Sequence, residues 1–202
     1  AHYNLGDTYL DLGKHEEAIE SFKQVIRIDP DLAWAHGNLG LAYRKSGKYK
    51  EAIESHKQAI RIDPDAALEH NNLGIAYFIS DMYKEAIESF KQAIRIKPDY
   101  ADAHNNLGVA YGKLGKHQEE IESYKQAIRI DPGLAGAHYS LGAAYGNSGK
   151  HKEAIESYKQ AIKINPDFKE AHYNLGLAYY PLGKHEEAIK SCKQAIRIDP
   201  DF

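Results

Sequence analysis

The chain repeats one 34-residue unit along its 202 residues. Residues 33–66, 67–100, 101–134, 135–168 and 169–202 align without gaps, and residues 1–32 are the same unit without its first two positions. A fixed period of this size predicts a solenoid, in which each unit packs only against its neighbours. Because a solenoid has a long open surface and no enclosed cavity, the period favours binding over catalysis. We therefore expect residues 1–202 to form a single array of six repeats.

Each unit carries two stretches with helical periodicity. In residues 33–66 the apolar positions of the first stretch, such as Leu39 and Tyr43, recur at three- and four-residue steps. Gly47 then supplies a residue that ends a helix at little cost. A second apolar stripe passes through Ile53, and Pro64 ends it because the residue before a proline avoids the helical region. Every unit is thus predicted to be a helix, a short turn and a second helix.

The pattern of recurring positions within the unit resembles a known repeat family. His36, Leu39, Gly40 and Tyr43 have the spacing His-x-x-Leu-Gly-x-x-Tyr, and Ala52 and Pro64 follow in register. This pattern resembles the tetratricopeptide repeat. The resemblance implies an all-α, right-handed superhelical solenoid of six antiparallel helix pairs, whose first helices line a concave groove for an extended peptide or a helix. One departure is systematic, since histidine replaces the tryptophan of the family at His2, His36, His70, His104, His138 and His172.

Composition narrows the classes of function. The formal net charge of −3 and the isoelectric point of about 6.4 give no overall attraction to nucleic acid or to anionic membranes. No apolar run approaches the roughly 18 residues of a membrane span, and no leader sequence is recognisable, so we expect a cytoplasmic protein. One cysteine, Cys192, cannot build a disulfide framework or a cysteine metal cluster. No catalytic motif occurs, and we predict a non-enzymatic protein without cofactor or metal.

The first helices carry a column of asparagines on the side that lines the groove in this family. A carboxamide has donors and an acceptor, and can therefore bond the N–H and the C=O of a peptide backbone together. Neighbouring first helices packed about 8–10 Å apart place their asparagines at a similar interval. An extended peptide, which advances about 3.3 Å per residue, would therefore meet one asparagine about every third residue. The column is similar to the asparagine ladder of O-linked N-acetylglucosamine transferases. Its members are Asn4, Asn38, Asn72, Asn106 and Asn174, with Ser140 in the fifth repeat.

Two neighbouring columns complete the predicted peptide site. Branched aliphatic residues occupy Leu41, Ile75 and Val109, and further amides occupy Asn71 and Asn105. Exposed aliphatic residues in a groove are typical of an interaction surface. The alternative interpretation is that the asparagines only bond neighbouring helices or cap local backbone.

We considered three functions other than the binding of an extended peptide. A clamp for a C-terminal carboxylate needs several groove cations, and only Arg44, Lys45 and Lys113 are available, which argues against it. Two alternatives stay open. The array can associate end to end with itself through an uncapped last repeat, or recruit substrates for a larger enzyme.

Several local features yield separate predictions. The glycines in the first helices should face the alanines of the second helices, and Glu120, which replaces one such alanine, should reach solvent. The histidines of the tryptophan column point in parallel and lie one repeat apart. They cannot converge on one metal ion, whose ligand atoms must each lie about 2.0–2.1 Å from it, so we expect them to be packed and hydrogen-bonded. Pro181 should shorten or kink the end of its helix.

Overall fold

The computed structural model describes residues 2–201, and the side chains from Leu5 to Asp201. Within this part the chain is helical, with no strand, and the predicted all-α class is confirmed. Helices alternate along the chain as consecutive packed pairs joined by short turns. They are α1 (His2–Asp11), α2 (His15–Ile28), α3 (Ala33–Lys45), α4 (Tyr49–Ile62), α5 (Ala67–Ile79), α6 (Tyr83–Ile96), α7 (Ala101–Lys113), α8 (His117–Ile130), α9 (Ala135–Asn147), α10 (His151–Ile164), α11 (Lys169–Tyr179) and α12 (His185–Ile198).

The helices form two compact units, residues 1–99 with α1–α6 and residues 100–202 with α7–α12. In the first unit α2 packs on α3 and α4 on α5, and first helices α1, α3 and α5 also lie side by side. The core is a series of small clusters at these contacts. One joins Ile19 and Phe22 of α2 to Leu39 of α3, and the next joins Ile53 of α4 to Leu73 of α5.

The second unit repeats this arrangement with its own core. Helix α8 packs on α9 and α10 on α11, and first helices α7, α9 and α11 are neighbours. Tyr124 of α8 packs with Leu141 of α9, and Ile155 and Tyr158 of α10 pack with Leu175 of α11. Each cluster joins the second helix of one repeat to the first helix of the next, as expected of a solenoid.

Most glycines of the first helices face a large side chain and not the predicted alanine, so this prediction was wrong for them, whereas Gly176 also lies close to the backbone oxygen of its alanine, Ala188. A Cβ atom placed on Gly74 would lie 2.5 Å from Phe90, and one on Gly142 would lie 2.7 Å from Tyr158. The residue that faces the glycine is thus the large residue of the second helix, four positions after the alanine that was expected there, as Phe90 follows Ala86. Because a ring needs more room than an alanine methyl group, glycine is required where the ring crosses the first helix. The full set of facing residues is Phe22, His56, Phe90, Tyr124, Tyr158 and Cys192.

Glu120 does not reach solvent as predicted. Its side chain is only 12% exposed, and His117 Nδ1 donates a hydrogen bond of 3.1 Å to its Oε2 atom. The carboxylate lies over Gly112, where a Cβ atom would be 2.6 Å from Glu120 Oε1. Gly112 therefore makes the room for it. Burial and the nearby Glu120 carboxylate raise the pKa of Tyr124, while a hydrogen bond with Ser140 lowers it.

Turn residues behave largely as the pattern predicts. Helix α11 ends at Tyr179, and Pro181 lies in a short 3-10 turn that follows it, so the predicted shortening is confirmed. The turn glycines, such as Gly47, adopt positive φ angles. In the third repeat Asp81 takes this position with φ 59°, so the turn keeps its left-handed residue without glycine.

Candidate functional site

The predicted asparagine column lies on first helices that are neighbours within each unit. Asn38 and Asn72 stand on the adjacent helices α3 and α5, and Asn106 and Asn174 stand on α7 and α11 of the second unit. All four side chains are half-buried. The side chain of Asn4 is outside the described residues. The column therefore presents amides that are partly accessible and partly packed between helices.

Asn38 bonds to the neighbouring first helix. Its Nδ2 atom donates to Asp7 Oδ1 of α1 over 3.2 Å. Asp7 precedes Asn38 by 31 residues, and the corresponding residue before Asn72 is Leu41. Because leucine cannot accept a hydrogen bond, the same bridge cannot form one repeat later. No side-chain hydrogen bond of Asn72 is found within the described part of the chain.

Asn174 is held by an aromatic residue of the preceding first helix. Its Nδ2 atom donates to the Tyr139 hydroxyl over 2.9 Å. Tyr139 also packs on Phe168 with a ring-centroid distance of 4.9 Å. Burial raises the pKa of Tyr139, and the bond with Asn174 lowers it. This amide thus orients a tyrosine in the position where the second repeat has Gly37.

The two further amides of the prediction differ in exposure. Asn71 is only 4% exposed, so it is not available to a peptide and does not belong to the candidate site. Asn105 is half-buried, and its Oδ1 atom is buried without a hydrogen-bond partner. An unpaired buried acceptor costs about 1–3 kcal/mol. Because this oxygen is buried, a peptide on the first-helix surface can reach Asn105 only through the rest of its side chain.

The aliphatic column is more buried than its pattern suggested. Leu41 is half-buried and packs against the core cluster of Ile19 and Leu39, and Val109 packs against the cluster of Tyr124. Ile75 is also half-buried. These residues contribute to the packing of the repeats as well as to the surface of the first helices.

Few cations lie on this surface. Lys45 and Lys113 are exposed near the ends of α3 and α7. Arg44 is half-buried, and burial lowers its pKa. Its Nε atom has no hydrogen-bond partner. The surface is thus built of amides and aliphatic groups more than of charges.

Four histidines of the tryptophan column link their first helix to the preceding turn. Nε2 of His36 donates to the Pro30 carbonyl over 2.9 Å, and His172 bonds in the same way to Pro166 over 2.9 Å. His70 and His138 make equivalent bonds of 3.0 and 3.1 Å. Among the described residues no group of three or more potential ligands could hold a metal ion, and no helix of the described chain is long and apolar enough to cross a membrane.

These observations define the class of the protein as a helical-repeat protein with an amide-rich first-helix surface. The sequence profile described as TPR repeat matches residues 82–115, 113–149 and 147–183. Profiles described as tetratricopeptide repeat match residues 1–65 and 170–202. The chain belongs to the tetratricopeptide repeat family, a family of protein-interaction scaffolds. No protein among the curated sequences matches it.

Solved structures of the same fold are similar over most of the chain. MamA is 32% identical, with a TM-score of 0.74 over 81% of this chain and 95% of MamA. YrrB, described as a TPR protein with an unusual peptide-binding site, is 25% identical, with a TM-score of 0.70 over 91% of this chain and 95% of YrrB. The pilF protein of Pseudomonas aeruginosa is 20% identical with a TM-score of 0.86, over 99% of this chain and 91% of its own, and shows the fold alone.

Proposed function

We propose that the protein is a non-enzymatic scaffold that holds an extended peptide against its first helices. The observation that carries this proposal is that the half-buried amides of Asn72, in the first unit, and Asn105, in the second, make no side-chain hydrogen bond within the described part of the chain. Since an extended backbone offers an N–H and a C=O at each residue, it can satisfy a carboxamide without any requirement on its sequence. The similar YrrB, a TPR protein with an unusual peptide-binding site, agrees with this kind of function.

The asparagine ladder takes a reduced form in this proposal. Asn38 and Asn174 each use one donor to bond a neighbouring first helix, so they mainly hold the surface in shape. Asn72, with Leu41 and Ile75, forms the peptide contact of the first unit. Asn105 and Asn106, with Val109, form that of the second unit. The alternative interpretation, bonding between helices, thus applies to Asn38 and Asn174.

A peptide titration tests this function. A binding peptide is first selected from a random peptide library displayed on phage, and its affinity is measured by fluorescence anisotropy. Asn72→Ala and Asn105→Ala should each weaken binding about fivefold, because one net hydrogen bond contributes about 1 kcal/mol. The control is Gln160→Ala, which removes an exposed carboxamide from the second helix α10. Affinity equal to wild type in both asparagine variants would exclude the proposal.

A second candidate function, self-association, is favoured by two exposed apolar faces. Leu5 of α1 is 41% exposed and Ile189 of α12 is 56% exposed. Their counterparts in other repeats are paired within core clusters, as Leu39 is with Ile19 and Leu175 with Ile155. In this second function the Leu5 face of α1 would pack on the Ile189 face of α12 in a second copy, as α3 packs on α2 within the chain.

Sedimentation velocity over a range of concentrations tests self-association. Ile189→Lys should abolish any concentration-dependent increase in mass because it places a charge in the apolar contact. Ile164→Lys, at an exposed position on α10, is the matched control and should leave the mass unchanged. A wild-type protein that stays monomeric at all concentrations would rule out this second function.

A further inference from the structure

Exposed apolar side chains extend the first-helix surface of the first unit. Trp34 of α3 is 39% exposed, and Leu68 and Ile79 of α5 are 56% and 39% exposed. Single apolar residues are common at protein surfaces, so the spacing of these residues is the informative feature. Positions that are four, seven and eleven residues apart lie along one face of a helix. Leu68 and Ile79 therefore share the face of α5 that carries Asn72 and Ile75.

Helix α3 carries a similar face one repeat earlier. Trp34 and Leu68 occupy equivalent positions of the repeat, four residues before Asn38 and Asn72. Because α3 and α5 are neighbours within the first unit, the two faces lie side by side. We call the apolar residues of these faces the apolar strip, and its members are Trp34, Leu41, Leu68, Ile75 and Ile79. A peptide bonded to the two asparagines would thus have apolar groups on both sides of its backbone.

The second unit does not repeat the apolar strip. Its positions equivalent to Trp34 are Asp102, Gly136 and Glu170. Its positions equivalent to Ile79 are Lys113, Asn147 and Pro181. The core columns nevertheless agree, since Leu73 of the first unit and Leu107 of the second are both buried. Packing of the repeats therefore does not require apolar residues at the exposed positions of the strip.

The charges beside the apolar strip favour an acidic partner. Lys45 is the last residue of α3 and is exposed. Arg44 beside it is half-buried, and its Nε atom has no hydrogen-bond partner. The carboxylate side chain of Glu69 on α5 is only 12% exposed, and Asp7 on α1 already accepts a hydrogen bond from Asn38. A carboxylate of a partner would thus complement the cations at the end of α3.

An extended peptide matches this arrangement of amides, apolar groups and cations. Its side chains point alternately to opposite sides of its backbone. If the backbone crosses α3 at Asn38, side chains on one side approach Trp34, which lies four residues or about 6 Å along the helix. Side chains on the other side approach Lys45, which lies seven residues or about 10 Å in the opposite direction. Both distances are within reach of two long side chains that extend towards each other.

We propose that the first unit selects an extended peptide segment in which apolar side chains alternate with acidic ones. The apolar side chains pack on Trp34 and Leu68, and the acidic side chain pairs with Lys45. The asparagines hold the backbone of the same segment. This inference rests on the peptide-binding function proposed above and adds to it the chemical class of the partner.

Three synthetic peptides with blocked ends test this selectivity on the full chain. The probe contains the segment Leu-Glu-Leu-Glu-Leu between Gly-Ser linkers, and the comparison peptides carry lysine in place of glutamate or serine in place of leucine. Calorimetric titration should show that the probe binds at least about fivefold more tightly than either comparison peptide. Trp34 is the only tryptophan of the chain. Its emission should shift to shorter wavelength when the probe covers it.

Variants at exposed positions assign the selectivity to the apolar strip and to Lys45. Leu68→Ser should weaken binding of the probe about fivefold, because it removes apolar contact area. Lys45→Glu should reverse the preference, so that the lysine peptide binds more tightly than the probe. The matched controls are Ile164→Ser and Lys152→Glu, which alter an exposed isoleucine and an exposed lysine of the second helix α10. Both controls should bind the probe as wild type does.

The outcomes separate this inference from the function on which it rests. Equal affinity for all three peptides, still weakened by Asn72→Ala, would overturn the selectivity and leave peptide binding in place. Binding of the probe that is unaffected by Leu68→Ser and Lys45→Glu would show that the strip is not the site of selection. Absence of binding by these peptides and by any peptide from the random library would exclude both proposals.

Discussion

At buried positions of this chain, the residue type depends on the volume of the neighbouring side chains on adjacent helices. The column of Phe22, Phe90, Tyr124 and Tyr158 shares one position in the repeat, and each ring lies against a glycine of its partner helix. The tyrosines add a hydroxyl to a buried position that phenylalanine also fills. Their protonation therefore couples directly to folding.

The alkaline stability should depend on Tyr158. Burial raises the pKa of Tyr158 from its ordinary value of 10.0 to about 12, and Tyr139 contributes further. Below about pH 10 the hydroxyl is neutral in both the folded and the unfolded state. Between about pH 10 and 12 only the unfolded chain ionises, so the stability contribution of this residue falls by about 1.4 kcal/mol per pH unit.

Urea unfolding at several alkaline pH values measures this dependence. Tyr158→Phe should lose less stability than wild type between about pH 9 and 11, because the variant has no hydroxyl to ionise at this position. Tyr180→Phe, which alters an exposed tyrosine, is the control and should follow wild type. An identical slope in Tyr158→Phe and wild type would contradict the assigned cause.

Two glycines of the same helix have different surroundings. Gly142 of α9 lies under the Tyr158 ring, whereas a Cβ atom placed on Gly136 of the same helix would meet open space. Both interrupt a helix in which alanine is favoured by about 1 kcal/mol. Only packing distinguishes them, which is why the sequence pattern assigned the wrong neighbour to the glycine column.

Alanine substitutions in α9 should therefore have opposite effects. Gly142→Ala places a methyl group 2.7 Å from the Tyr158 ring and should destabilise the protein by about 1–3 kcal/mol through overpacking. Gly136→Ala meets open space and should stabilise it by up to about 1 kcal/mol. Thermal unfolding followed by circular dichroism measures both. Equal shifts in the same direction would show that helix propensity alone governs these sites.

Across the molecule, stability comes from contacts between neighbouring repeats. Each core cluster joins the second helix of one repeat to the first helix of the next. The clusters around Ile19 and Ile53 lie in residues 1–99, and those around Tyr124 and Ile155 lie in residues 100–202. Each unit thus has a core of its own.

Residues 1–99 and 100–202 should fold when they are produced separately. Because contacts in a repeat protein are local, each piece keeps its own clusters. Circular dichroism should show helical signal and a cooperative thermal transition for both. Loss of either in one piece would show that its core depends on the rest of the chain.

The helix pairs, their order and the columns follow from the amino-acid sequence alone, because a strict 34-residue period leaves few ways to bury the apolar stripes. The sequence also indicated which residues stand on the first-helix surface, but not how exposed they are. Asn71 and Asn72 are adjacent in the chain, yet one is buried and the other is half-buried. This difference arises only in the folded chain, since burial depends on which residues of the neighbouring repeat fill the space. The same reason explains Glu69 and Glu120, whose carboxylates are seated over the distant Gly37 and the nearby Gly112.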